Sequence, residues 1–138
     1  FDCALPTRLA RNGALFTPQG RVNILNARFA ESVGPVQDGC DCYACGRYSV
    51  AYLHHLFKAR ELLAYRLASI NNLRFIMRLM EEIRKSILEG TFEGFKDSFL
   101  RDYQPTDDDV RVQQKSKWLT KRAEGSISRS REEYPTGE

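Results

Sequence analysis

The sequence predicts an α/β chain that opens with short extended segments and is mostly helical after residue 48. Three observations carry this: paired extended stretches set between turn signals, a cysteine-rich loop near residue 40, and a change to helical period once that loop is passed.

At the start, Phe1-Asp2-Cys3-Ala4-Leu5 leads into Pro6, which cannot donate to a strand ladder and so ends or edges a strand, with Asp2 near its end. Arg11-Asn12-Gly13 marks a turn, because Asn and Gly tolerate positive φ. Ala14 to Thr17 and Arg21 to Ile24 then pair as a hairpin through Pro18-Gln19-Gly20. From Gly34 to Gly39 the chain is a loop of Gly, Pro and polar residues that delivers the cysteines.

Beyond Cys45 the apolar residues recur by threes and fours. Ser49 is the expected N-cap of a short helix carrying Tyr52, Leu53, Leu56 and Phe57, with Tyr48 just before it. Leu63, Leu67, Ile70, Leu73, Met77, Met80, Ile83 and Ile87 define a long amphipathic helix that Gly90 stops. Thr91 caps a third, in which Phe92, Phe95, Phe99 and Tyr103 share one aromatic face and Gln104-Pro105-Thr106 closes the element. Most of these apolar residues are expected to form core.

From Asp107 the periodicity fades. Asp107-Asp108-Asp109 is an acidic run, and Lys115, Lys117, Lys121 and Arg122 surround the only Trp, Trp118. Too little apolar surface is present to offset chain entropy, so residues 104–138 read as a mobile tail; contact with RNA phosphates and bases is the alternative.

A chain of 138 residues with a net charge of +3 is one domain's worth and is not a strongly basic nucleic-acid binder by charge alone. No apolar run is long enough to span a bilayer, and no signal-peptide pattern stands at the start. Clustered thiols in such a chain suit a reducing compartment, the cytoplasm. Because the chain begins at Phe1 rather than Met, it is expected to be cut from something longer. There is no internal repeat, no Gly-rich phosphate loop and no supported Ser/His/Asp arrangement.

Cys40, Cys42 and Cys45 have the spacing C-x-C-x2-C. Thiolates are soft ligands that a short loop can aim at one tetrahedral Zn²⁺, whereas neighbouring positions of one loop rarely meet disulfide geometry. Zinc is the first reading and unligated thiols the alternative. A fourth ligand is not evident from the cluster itself.

Phe1-Asp2-Cys3-Ala4-Leu5-Pro6-Thr7-Arg8, then Ala10-Arg11-Asn12-Gly13, the cysteine cluster, and Tyr48-Ser49-x-Ala51-Tyr52-Leu53-His54-His55-Leu56 together resemble the C-terminal third of a bacterial-type tRNA-guanine transglycosylase, collinearly over about residues 1–103. The resemblance implies the C-terminal part of a TIM (β/α)8 barrel with an inserted zinc-binding subdomain, a fold of about 250 residues. Its expected divisions are the barrel end with the nucleophile motif and hairpin (1–36), the zinc subdomain (37–72), C-terminal helices (73–103) and the tail.

The resemblance also implies an activity: exchange of the wobble guanine of a tRNA anticodon for a 7-deazaguanine base, preQ1 or queuine. Asp2 matches the nucleophile that forms a covalent bond to the ribose; taken alone it would read as a capping or turn residue. Arg8 and Arg11 match arginines that contact the tRNA, and otherwise read as surface charge. The zinc is implied to be structural, held by Cys40, Cys42 and Cys45. The helix after the cysteines is implied to contribute Tyr48, Tyr52 and His55 to a homodimer interface, with burial against the chain's own long helix as the alternative.

The sequence departs from the family at one ligand. The family's fourth zinc ligand is a His in a Cys-x25-His relation, and counting from Cys45 arrives at Asn71. Asn71, water, His54 or His55 are the candidates to complete the site. The guanine pocket and second catalytic acid lie in earlier strands of the family. A non-catalytic partner subunit and a free-standing zinc-dependent RNA-binding module are the alternatives to an enzyme.

Overall fold

In the computed structural model, which describes residues 3–104 together with Ser116, Leu119 and Thr120, the first element is a helix rather than the end of a strand. Helix α1 spans Leu5–Arg11 with Pro6 in its first turn. A proline is tolerated there because a first-turn N–H has no intrahelical partner and the fixed φ suits a helix start. The strand end expected at Pro6 is corrected accordingly. The Ala4 carbonyl accepts from the Arg8 N–H (3.0 Å) and the Thr7 hydroxyl (3.1 Å), while Pro6 and Ala10 form the buried side.

The hairpin forms as expected. Strands β1 (Ala14–Thr17) and β2 (Gly20–Asn23) are antiparallel, with Leu15 opposite Val22 and Phe16 opposite Arg21. β2 starts one residue earlier than the apolar pattern indicates, because Gly20 is both turn residue and ladder partner of Thr17. At φ +127°, a Cβ on Gly20 would lie 2.2 Å from the Gln104 carbonyl oxygen, so glycine is what lets residue 104 reach the hairpin. There the Gln104 N–H donates to the Gln19 carbonyl (3.0 Å).

A 3₁₀ turn at Ala27–Phe29, capped by the Asn26 side chain, leads into the cysteine loop. That loop holds a helix too short for periodicity to reveal, α2 (Tyr43–Arg47). Helix α3 (Val50–Lys58) follows, and the Ser49 hydroxyl caps it by accepting from the Tyr52 N–H (3.2 Å), as expected.

Helix α4 runs Leu62–Leu88 and ends in a Schellman arrangement at Gly90 (φ +70°), where the Thr91 N–H donates to Ser86 (2.8 Å) and the Gly90 N–H to Ile87 (3.2 Å). Its length matches expectation, but its buried face does not. The buried positions are Ala64, Leu67, Ala68, Asn71, Asn72 and Ser86, whereas Leu63, Leu73, Met77, Met80 and Ile87 are exposed, Met77 by 57%. Small Ala64 and Ala68 admit the neighbouring elements closely, and the helix then outruns them.

Helix α5 (Phe92–Asp102) carries the expected aromatic row. Phe95 stacks on Phe99 (6.3 Å between ring centroids), Phe99 on Tyr103 (5.2 Å), and the series continues through Phe75 of α4 to Phe16 of β1. Thr91 holds the cap position without capping; its hydroxyl turns back to the Ser86 carbonyl (3.4 Å).

One core joins the elements from α1 to α4. Leu15, Ile24, Leu53 and Leu67 are fully buried, packed with Ala10, Cys42, Ala44, Val50, Ala64 and Ala68. The described residues of the unit Thr106–Glu138 include Thr120, whose hydroxyl donates to the Ser116 carbonyl (3.0 Å). Asp2, the Asp107-Asp108-Asp109 run and the basic cluster around Trp118 lie outside the described residues. Among the described residues, no helix is long and apolar enough to cross a membrane.

Candidate metal centre

Local geometry brings the three cysteines to one point. Gly39 (φ +70°) bends the loop, and the Cys40 N–H is tied to the Gln37 carbonyl (3.3 Å). Cys42, in extended conformation, is the N-cap of α2, and its Sγ accepts from the Cys45 N–H (3.3 Å). One helical turn then returns Cys45 to the side its cap occupies. The three Sγ atoms lie within 4.8 Å of one another, Cys42 buried and the other two half-buried.

Helix α4 holds this loop from below. Arg74 forks onto Asp41, between the first two cysteines, through Nε–Oδ1 and Nη2–Oδ2 contacts of 2.8 Å each, and Arg78 reaches the Gly39 carbonyl (3.4 Å). The hydrogen-bonded guanidinium of Arg74 keeps the Asp41 carboxyl below its ordinary range. Sequence reading missed this pair, whose members are 33 positions apart.

Asn71 stands on the same helix against the thiols. It is 1% exposed, with Nδ2 3.4 Å from Cys45 Sγ and 3.8 Å from Cys42 Sγ. Its Oδ1 is buried without a hydrogen-bond partner. The position found by counting from Cys45 is therefore the position that meets the cluster. Neither histidine does so, which corrects their candidacy as replacement ligands. The His54 ring is buried and donates from Nδ1 to the Ile24 carbonyl (2.7 Å), and His55 is exposed.

The thiols share a crowded, half-dry site. Burial pushes the Cys45 thiol up to about 12, with the neighbouring Cys42 and Cys40 adding to the rise, and burial also raises Cys40. Burial acts to raise Cys42 too, but hydrogen bonds led by the Cys45 N–H outweigh it and its pKa falls. Three thiolates in this space would repel one another, and a dication relieves that repulsion while releasing the protons. Three convergent sulfurs fit the thiolate donors of a zinc site, and Cys40 borders a cleft of about 210 Å³ with Gln37, Phe75 and Arg78.

The remaining candidates lie apart from the cluster. Arg8 and Arg11 are exposed on α1, one turn from each other, and make no ion pair among the described residues. Tyr48 and Tyr52 stack at 5.3 Å, and Tyr43, which sequence reading did not include, meets the Tyr48 edge at 6.0 Å with Arg47 over its own ring. Tyr43, Tyr52 and His55 are exposed, while Tyr48 is half-buried and packs against the core.

The family model described as queuine tRNA-ribosyltransferase matches residues 1–105. A queuine tRNA-ribosyltransferase of Dehalococcoides mccartyi is 58% identical over 123 residues, covering 89% of this chain and 31% of that protein. One of Dictyoglomus turgidum is 50% identical over 118 residues, covering 86% and 30%, and one of Herpetosiphon aurantiacus is 53% identical over 104 residues, covering 75% and 26%. The chain spans about three tenths of the length of these relatives.

Proposed function

The chain belongs to the queuine tRNA-ribosyltransferase family, and on that footing we propose that the full-length protein exchanges the wobble guanine of a tRNA anticodon for a 7-deazaguanine base, preQ1 or queuine. The observation that carries this reading is the family match over residues 1–105, which includes the Phe1-Asp2-Cys3-Ala4-Leu5-Pro6-Thr7-Arg8 stretch.

Asp2 is the nucleophile. Its carboxylate attacks ribose C1′, a C1′–O bond forms as the C1′–N9 bond to guanine breaks, and guanine leaves with its bonding pair and takes up a proton. The incoming base then reverses the sequence and frees the carboxylate. A covalent intermediate splits one difficult substitution at an oxocarbenium-like centre into two easier ones. Arg8 and Arg11, exposed and without ion-pair partners among the described residues, are available to tRNA phosphates.

In this reading the chain contributes the C-terminal end of a TIM barrel (1–36), an inserted zinc subdomain (37–72), closing helices (73–103) and a tail, in a cytoplasmic enzyme. The zinc, held by Cys40, Cys42 and Cys45, is structural: it fixes the loop, and no bond to the RNA is made or broken there. The tyrosine row pairs two copies through Tyr48, Tyr52 and His55.

Two measurements test this. Asp2→Asn in the full-length enzyme is expected to lower base exchange on the order of 10⁴-fold and to abolish the covalent tRNA complex; a complex that still forms rejects the assignment. Tyr48→Ala with Tyr52→Ala is expected to shift the enzyme toward monomer in sedimentation, and an unchanged dimer removes this helix from the interface.

A further inference from the structure

Asn71 has the one buried side-chain polar atom without a hydrogen-bond partner among the described residues, and that atom belongs to a group pressed against two of the three clustered thiols. A carboxamide presents two donors at one end and an acceptor at the other, and rotation of its terminal torsion exchanges them. With protonated thiols facing it, the NH₂ end toward sulfur is tolerable, since sulfur is a weak acceptor. With three thiolates around a cation, the end drawn inward is the oxygen, and the orphaned acceptor then acquires a partner.

We infer that Asn71 is the fourth zinc ligand, through Oδ1, making an S₃O donor set. The inference rests on the reading of Cys40, Cys42 and Cys45 as zinc ligands. Among the described residues, neither histidine joins the group of ligand atoms that the cysteines form, and Asn72 has all its polar atoms engaged by backbone groups. A solvent ligand would have to displace a side chain that is 1% exposed and already in place. An amide oxygen is a harder and weaker donor than imidazole, so the metal is held less tightly than in a Cys₃His site.

The test replaces silent Zn²⁺ by Co²⁺ in the full-length protein, follows the ligand-field and thiolate charge-transfer bands during titration, and measures Zn²⁺ affinity by competition. Asn71→Asp keeps the oxygen and removes the NH₂, so it should bind at least as tightly as the original. Asn71→His should tighten binding, and Asn71→Leu weaken it, each by roughly tenfold or more, the range in which even outer-shell changes act. The Co²⁺ spectrum of the Leu variant should also respond to added imidazole at concentrations that leave the original unchanged.

Weaker binding by Asn71→Asp would mean that Asn71 serves the sulfurs through its N–H, and would overturn the inference. A Leu variant with unaltered affinity and spectrum would do the same while leaving the three-cysteine site standing. Should the Leu variant fail to fold, the Asp and His variants decide. No metal uptake by the original or by any variant would remove the zinc reading as well.

Discussion

Asn71 and Asn72 are neighbours on α4, 1% and 0% exposed, identical in chemistry and opposite in treatment. Asn72 accepts from the Phe16 N–H (2.9 Å) and donates to the carbonyls of Pro6 (3.0 Å) and Ala14 (2.9 Å), so one side chain ties α1 and β1 to α4. Asn71, about 100° further around the helix or less than a third of a turn away, faces the cysteines with one end and leaves the other unmet. Burial therefore does not separate a structural amide from one inferred to ligate. The accounting of partners does: a fold uses all the hydrogen-bonding capacity it buries, and an acceptor left over beside a donor set points to something absent from the chain itself.

The largest effect expected from breaking this contrast is at Asn72. Asn72→Leu leaves two backbone carbonyls and one N–H without their partner, and should cost roughly 3 kcal/mol or more, read as a lowered denaturant midpoint. Asn71→Leu, measured with a chelator present, removes a side chain whose bonds are weak and incomplete, and should stay within about 1 kcal/mol of the original. Equal losses at the two positions would show that the unmet oxygen of Asn71 is not a real distinction between them.

What was legible in the sequence was what depends on neighbours along the chain. The hairpin, the Ser49 cap and the Gly90 stop follow from turn and cap chemistry over a few residues. The cysteine cluster was legible by spacing, and Asn71 by counting from Cys45 over the interval that the family resemblance implies. Helix α1 was not, because Pro6 suits a strand edge and a first helical turn equally and seven residues give too little period to choose. The apolar stripe of α4 was read correctly as a stripe and wrongly as core, since periodicity reveals a face but not what covers it: Met77 and Ile87 share it with buried Leu67. Asn72 was invisible, its partners lying 56 to 66 positions away where no local pattern can point.

The smallest effect is expected at the exposed clamp beside Asn71, the Arg74–Asp41 pair, and its sign is set by pH. The Arg74 guanidinium lowers the Asp41 pKa in the folded chain, so the unfolded chain takes up this proton at higher pH than the folded one. Stability from the pair is thus fully present above the ordinary aspartate value and is lost as pH falls through the lowered folded value. Asp41→Asn should make the metal-free protein slightly less stable at neutral pH, with the difference constant down to the ordinary aspartate range and vanishing below it; a difference that grows on acidification would reverse the assignment. Because both side chains meet solvent, screening keeps this effect far below that of Asn72. Yet Asp41 lies between two of the cysteines, so the same substitution should quicken loss of bound metal to a chelator while leaving the Asn72 side of the helix untouched. Metal release at an unchanged rate would mean that the loop holds its shape without the clamp, and that Asn71 and the cysteines alone define the site.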